Sequence, residues 1–125
     1  MKRRIVLAST MAILTFVASA TAHHSFAAFD GEKNLALTGT VKEFQWTNPH
    51  SWIQLMVTDS GGKQTEWSIE AGSPNSLART GWKRTSIKAG DKAEIVVHPM
   101  KDGSPGGSLV NVKVNGTVLG QSPGK

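Results

Sequence analysis

The sequence has 125 residues, with 14 Lys and Arg, 9 Asp and Glu, and no cysteine. That length suits one small domain. The lack of cysteine excludes a disulfide scaffold, a thiolate nucleophile, a Cys-ligated zinc site and an iron–sulfur cluster.

Residues 1–22 have the three-part pattern of a secretory signal peptide. Three basic residues precede an apolar run from Ile5 to Val17, and small residues follow as far as Ala22. The apolar run is too short to span a membrane comfortably. We therefore expect a cleaved, periplasmic protein with no membrane attachment. The processed chain keeps 11 basic and 9 acidic residues, a net charge of +2, and shows no clustered basic face of the kind that binds nucleic acid.

Two cleavage points fit the small-residue rule. Cleavage after Ala20 would leave Thr21 as the first residue, and cleavage after Ala22 would leave His23. We prefer the second. Residues 23–34 then form an N-terminal lead-in, residues 35–120 form the folded domain, and residues 121–125 form a disordered tail.

Alternation of apolar and polar residues predicts five strands in the folded domain. A phase shift after Val41 predicts a bend or bulge in the first strand. The pair Ser73-Pro74 fits the start of a short helix that Gly81 ends. The predicted strands are residues 35–46, 52–58, 64–71, 92–98 and 109–114.

Five strands with one helix between the third and the fourth is the element order of the OB barrel. We therefore predict an all-β fold, a small five-stranded OB-like barrel, with an open β-sandwich as the alternative. Its predicted core is Val41, Ile53, Leu55, Trp67, Ile69, Ile95, Val97 and Val112.

Several short motifs are similar to those of a family of small, uncharacterised, exported bacterial proteins that carry a domain of unknown function. They are the start His23-His24-Ser25-Phe26, the turn Asn48-Pro49-His50 and the later pair Gly90-Asp91. The resemblance implies export and a single domain, and it implies no activity.

All four histidines, His23, His24, His50 and His98, occupy positions where a metal could bind, and imidazole is the commonest protein metal ligand. If His23 is the first residue, its amine and imidazole can chelate Cu(II), with another imidazole completing a tetragonal set of nitrogens. This resembles the histidine brace of copper monooxygenases and copper carriers. If Thr21 is first, the amine, two backbone amides and His23 form an amino-terminal Cu(II) or Ni(II) site. Terminal histidines also chelate copper without a selected purpose.

A softer metal site is a second possibility. Met56 and Met100 with His98 or His50 resemble the Cu(I) site of small periplasmic copper chaperones, because thioethers favour Cu(I). The Met-x-Met pair of those chaperones is absent here. Packing is the competing explanation for Met56.

The tryptophans offer a different kind of function. Trp52 is predicted on the outer face of its strand, where it would bind an exported protein partner or stack on a ligand. The other three tryptophans are predicted to fill the barrel.

No enzyme motif stands out. Glu66 and Glu70 share a strand face about 13 Å apart, which exceeds the carboxylate spacing of glycosidases, and a solvated surface explains them. The sequence therefore predicts a non-enzymatic periplasmic binding module with copper as the candidate metal and no certain cofactor. The alternative is a metal-free protein-interaction module that uses the Trp52 face. The oligomeric state is open.

Overall fold

The computed structural model describes residues 26–120. Residues 1–22, both terminal histidines and residues 121–125 lie outside this range. The described chain consists mainly of strands, with one short α-helix. A 3-10 turn at Phe26–Ala28 is followed in order by β1 (Leu35–Gln45), β2 (Trp52–Thr58), β3 (Gln64–Glu70), α1 (Pro74–Arg79), β4 (Lys92–Pro99), β5 (Gly106–Val114) and β6 (Thr117–Leu119).

Strands β1 to β5 form a closed barrel. β1 lies between β2 and β4, and β2 pairs with β3, all antiparallel. β5 pairs antiparallel with β4 and parallel with the end of β3, where residues 68–70 face residues 106–108. This last pairing closes the barrel. The fold prediction is confirmed, with α1 between β3 and β4 and with β6 added as a short hairpin partner of β5.

The predicted irregularity in β1 is a β-bulge. The pairing with β2 shifts between Val41 and Glu43, which face Leu55 and Gln54. The extra residue, Lys42, changes which side chains point inward. The phase shift seen in the sequence therefore reports a real bend in the strand.

The barrel interior is apolar. Seven of the eight predicted core residues are buried, and the eighth, Trp67, is half-buried and packs against them. Leu77 of α1 and Trp82 after it are also buried, so the helix side contributes to the core as well as the strands. The indole Nε1 of Trp82 donates to the carbonyl of Gly120 at 2.8 Å.

The helix starts and ends as predicted. The Ser73 hydroxyl accepts a hydrogen bond from the amide of Ser76 at 3.2 Å, and Pro74 is the first helical residue. Gly81 follows with a φ of 91°, a conformation that favours glycine. No helix in residues 26–120 has the length and apolar content needed to cross a membrane.

The predicted start of the last strand is wrong. The sequence predicts this strand over residues 109–114, whereas β5 begins at Gly106. A Cβ on Gly107 would lie 2.6 Å from the carbonyl oxygen of His98, so only glycine allows the strands to approach this closely. The two glycines are therefore part of the barrel closure.

The described part of the lead-in, residues 26–34, lies against the end of β4. The amide of Asp30 donates to the carbonyl of Pro99 at 2.8 Å, and the amide of Lys101 donates to the carbonyl of Ala28 at 2.9 Å. Phe29 pairs with Met100 and is 8% exposed. The first described residues of the chain are thus fixed to the same strand that carries His98.

Candidate metal sites

His98 lies near the end of β4 and is half-buried. Its Nδ1 is 2.8 Å from the backbone carbonyl oxygen of Lys33. A carbonyl oxygen only accepts hydrogen bonds, so Nδ1 carries the proton in this contact. In this tautomer the lone pair of Nε2 is the one that a metal ion can use. A ring nitrogen that donates to a carbonyl while the other stays available is typical of metal-binding histidines.

A tight turn positions the carbonyl that holds His98. The amide of Lys33 donates to the carbonyl of Asp30 at 3.1 Å, while the Asp30 amide is bonded to Pro99 of β4. The Lys33 ammonium lies 3.1 Å from the Asp30 carboxylate. Hydrogen bonding to Lys33 lowers the pKa of the Asp30 carboxyl below its usual 3.8. The turn therefore links the lead-in to the imidazole through a short chain of bonds.

His50 follows the Asn48-Pro49 turn and precedes β2. The hydroxyl of Thr47 donates to the His50 carbonyl at 2.8 Å and closes this turn. The imidazole Nε2 of His50 lies 3.4 Å from Oε1 of Glu70, and the side chain is 43% exposed. His50 is thus paired with a carboxylate and still open to solvent.

Glu70 differs from the solvated charge that the sequence predicts. It is on the outer face of β3, but its side chain is only 11% exposed, and its Oε2 is buried without a hydrogen-bond partner among the described residues. Glu66 on the same face is exposed and lies 2.7 Å from Lys42. The difference follows from the barrel closure, because β5 flanks β3 only at residues 68–70.

The described histidines are not brought together. Trp52 faces Glu70, Glu70 faces Ser108, and Ser108 faces His98. Three strand spacings therefore separate the start of β2 from His98, about 14 Å. Within residues 26–120, no three His, Asp or Glu side chains are close enough to hold one metal ion. His23 and His24 lie outside the described residues.

The Cu(I) hypothesis requires the thioethers of Met56 and Met100 to bind at one site. The fold keeps these two residues apart. Met56 is in β2 and Met100 follows β4, and these strands are not neighbours in the barrel. Met100 instead lies beside the lead-in, opposite Phe29. The paired-methionine site is therefore wrong for this chain.

The four tryptophans differ in exposure. Trp46, Trp52 and Trp67 are half-buried, and Trp82 is 2% exposed. Trp52 is on the outer face of β2, as predicted, where it faces Glu70 across the β2–β3 pair.

Sequence reasoning missed Glu70 as a site residue, although a signal for it was present. The loop at residues 59–63 is a hairpin whose flanking residues, Thr58 and Gln64, face each other. Counting outward from that pair places Trp52 opposite Glu70, which brings Glu70 close to the turn that carries His50. The burial of Glu70 has no such signal, because it depends on a strand 36 residues further along the chain.

Within residues 26–120, the strand order and the helix between β3 and β4 define an OB-like barrel. The chain belongs to a family of unknown function, DUF6152, whose model matches residues 11–117. The expected membership of an uncharacterised family is thereby confirmed. No curated protein and no solved structure matches the sequence.

Proposed function

We propose that the processed chain is an exported, non-catalytic module that binds copper. In this proposal the amine and imidazole of His23 chelate Cu(II), His24 assists, and His98 completes the set. The start of the sequence supports export, because residues 1–22 have the signal-peptide pattern.

One observation carries the proposal. His98 is held through Nδ1 by the Lys33 carbonyl, which leaves Nε2 available on the strand against which the lead-in is fixed. His23 precedes Phe26 by three residues, which span at most about 11 Å. In this proposal, that short span would let His23 reach the end of β4.

Copper fits this set of donors better than other divalent metals. Cu(II) is at the top of the divalent affinity order and favours a square of nitrogen donors. A free α-amine has a pKa of about 7.7–8.0 and an ordinary imidazole one of about 6.5, so both lose a proton easily near neutral pH. Protons compete for the same lone pairs, and binding should weaken as the pH falls through about 6.

The test compares two matched histidine variants of the processed chain, His98→Ala and His50→Ala. Cu(II) affinity is measured by competition against a chromogenic chelator at one equivalent of copper. We expect His98→Ala to weaken binding by at least about tenfold, the lower end of the cost of disturbing a metal site. His50→Ala should have no effect on this first equivalent.

Intact-mass measurement of the protein recovered from the periplasm must accompany the titration, because the proposal requires His23 to be the first residue. Recovery of chains that begin at Met1 in a membrane fraction would contradict export. Equal copper affinity of the parent and His98→Ala chains would reduce the site to incidental chelation by the terminal histidines.

A further inference from the structure

We propose that His50 and Glu70 form a second metal site, one for a divalent ion of the zinc class. The site is separate from the proposed copper site and does not depend on it. It joins the turn before β2 to the end of β3, and solvent molecules would complete the coordination.

The distance between the two side chains matches shared coordination. Nε2 of His50 and Oε1 of Glu70 are 3.4 Å apart, beyond the 2.7–3.2 Å range of N–H···O hydrogen bonds. Two ligand atoms placed about 2.0–2.1 Å from one tetrahedral zinc ion lie about 3.3–3.4 Å from each other. The two atoms thus have the separation of two neighbouring ligands.

The second carboxylate oxygen gives an independent reason. Oε2 of Glu70 is buried without a hydrogen-bond partner among the described residues, and the side chain is 11% exposed. A buried charged oxygen without a partner is costly, and a bound cation removes that cost. Glu66, four residues away, has Lys42 as its cation, whereas no lysine or arginine pairs with Glu70 among the described residues.

Both ligands are held in place by the backbone. Glu70 lies between β2 and β5, where it faces Trp52 on one side and Ser108 on the other. The Thr47 hydroxyl fixes the carbonyl of His50. Ligands whose positions are set by rigid elements bind metal with less reorganisation. The 43% exposure of His50 leaves the open side that solvent ligands and the arriving ion need.

The ligand types favour zinc over copper at this site. Zinc accepts imidazole nitrogen and carboxylate oxygen in a tetrahedral arrangement, whereas Cu(II) prefers a square of nitrogens. The proposed copper site offers nitrogens, and the His50–Glu70 pair offers one nitrogen with one or two oxygens. We therefore expect Cu(II) to bind at the first site and zinc to bind at the His50–Glu70 site.

The test titrates the processed chain with zinc chloride and follows the side-chain nitrogen signals of each histidine by NMR. Glu70→Gln removes the charge of the proposed ligand at nearly constant size. Glu66→Gln is the matched control, because it removes an exposed carboxylate from the same face of the same strand. We expect the His50 ring signals to shift and saturate in the parent chain. Zinc affinity at His50 should fall at least about tenfold in Glu70→Gln and stay unchanged in Glu66→Gln.

Two results would overturn the proposal. One is an equal response of His50 in the parent and Glu70→Gln chains, which would mean binding by the imidazole alone. The other is a response limited to His23, His24 and His98. If Glu70→Gln does not fold, His50→Ala decides the question, because this side chain is on an exposed turn. Zinc should then leave the Glu70 carboxyl carbon signal unmoved in His50→Ala and shift it in the parent.

Discussion

His98 and His50 are on the outer surface of one barrel wall, but different groups hold them. His98 contacts a backbone carbonyl supplied by the lead-in, while His50 faces the carboxylate of Glu70. The carbonyl fixes the tautomer of His98 and leaves a single nitrogen available. The carboxylate gives His50 a partner that can also bind a cation.

The two proposed sites differ in the donor atoms that the barrel supplies. The end of β4 offers the imidazole of His98 beside residues 28–30 of the lead-in, and the β2–β3 edge offers an imidazole together with a largely buried carboxylate. The short β3–β5 pairing flanks Glu70, and the same Ser108 that faces Glu70 also faces His98 across the β4–β5 pair. The predictions below compare two neighbourhoods, the surroundings of His98 at the end of β4 and the surroundings of His50 and Glu70 at the β2–β3 edge.

The largest expected effect is on the stability of the barrel. Ile69 is fully buried on the inner face of β3, next to Glu70 in the chain. Ile69→Ala should lower the free energy of unfolding by about 2–5 kcal/mol, measured by urea denaturation. Glu66→Ala on the exposed face of β3 is the control and should change it little. A similar loss in both variants would contradict the assignment of the inner face.

Extending the processed chain by one Met should affect only one of the two neighbourhoods. The added residue moves the free amine away from the His23 imidazole, so the two can no longer chelate one ion as proposed. The extension also makes His24 the third residue, where the amine, two backbone amides and the His24 imidazole can bind Cu(II) on their own. Copper binding in the extended chain should therefore no longer depend on His98, and His98→Ala should not weaken it there. Zinc binding at His50 should be unchanged. The measurement is the same chelator competition, with circular dichroism to verify that the barrel stays folded.

Gly107→Ala should disturb both neighbourhoods together. The added Cβ would meet the His98 carbonyl at 2.6 Å and the Val97 side chain at 2.9 Å, so β4 and β5 must move apart. We expect a loss of about 1–3 kcal/mol in unfolding free energy, measured by thermal or urea denaturation. Gly31→Ala is the control, because a Cβ there meets no atom within 4 Å. An unchanged stability in Gly107→Ala would contradict the close approach at the closure.

The smallest effect is expected at the turn that holds His98. The Lys33 ammonium lowers the pKa of the Asp30 carboxyl below 3.8, so its contribution is complete above that value and is lost only as the pH falls below it. Copper binding should instead weaken near pH 6, where the ligands are protonated. Asp30→Asn should lower copper affinity by less than about fivefold, as expected for an exposed ion pair, and leave the pH midpoint unchanged. A shift of the pH midpoint of copper binding in Asp30→Asn, measured by the chelator competition, would contradict the claim that the Asp30–Lys33 pair does not set the pH dependence of copper binding.

Much of the barrel was predictable because its signals are local. Alternation in β2 and β4, the hairpin between β2 and β3, and the Ser73-Pro74 start of α1 each depend on neighbouring residues. The start of β5 was not predictable in this way. Its glycines resemble a flexible loop in sequence, and only the close approach of β4 shows why they belong to a strand.

The residues of the candidate sites were likewise predictable only where their signal is local in the sequence. His50 and His98 stand out by residue type alone, since histidine is the usual metal ligand. The sequence predicts a solvated surface position for Glu70, because alternation indicates which face a side chain is on and not whether a neighbouring strand buries it. That cover comes from the parallel β3–β5 pairing between distant segments. The paired-methionine site failed for the same reason, since the strand order separates Met56 from Met100.

Electron paramagnetic resonance of the processed chain with one equivalent of Cu(II) tests the central claim most directly. The spectrum reports the number of nitrogens bound to copper. We predict a tetragonal site that loses one nitrogen in His98→Ala, stays the same in His50→Ala, and changes on extension by Met. Identical spectra for the parent, His98→Ala and Met-extended chains would contradict a copper site built from His23 and His98.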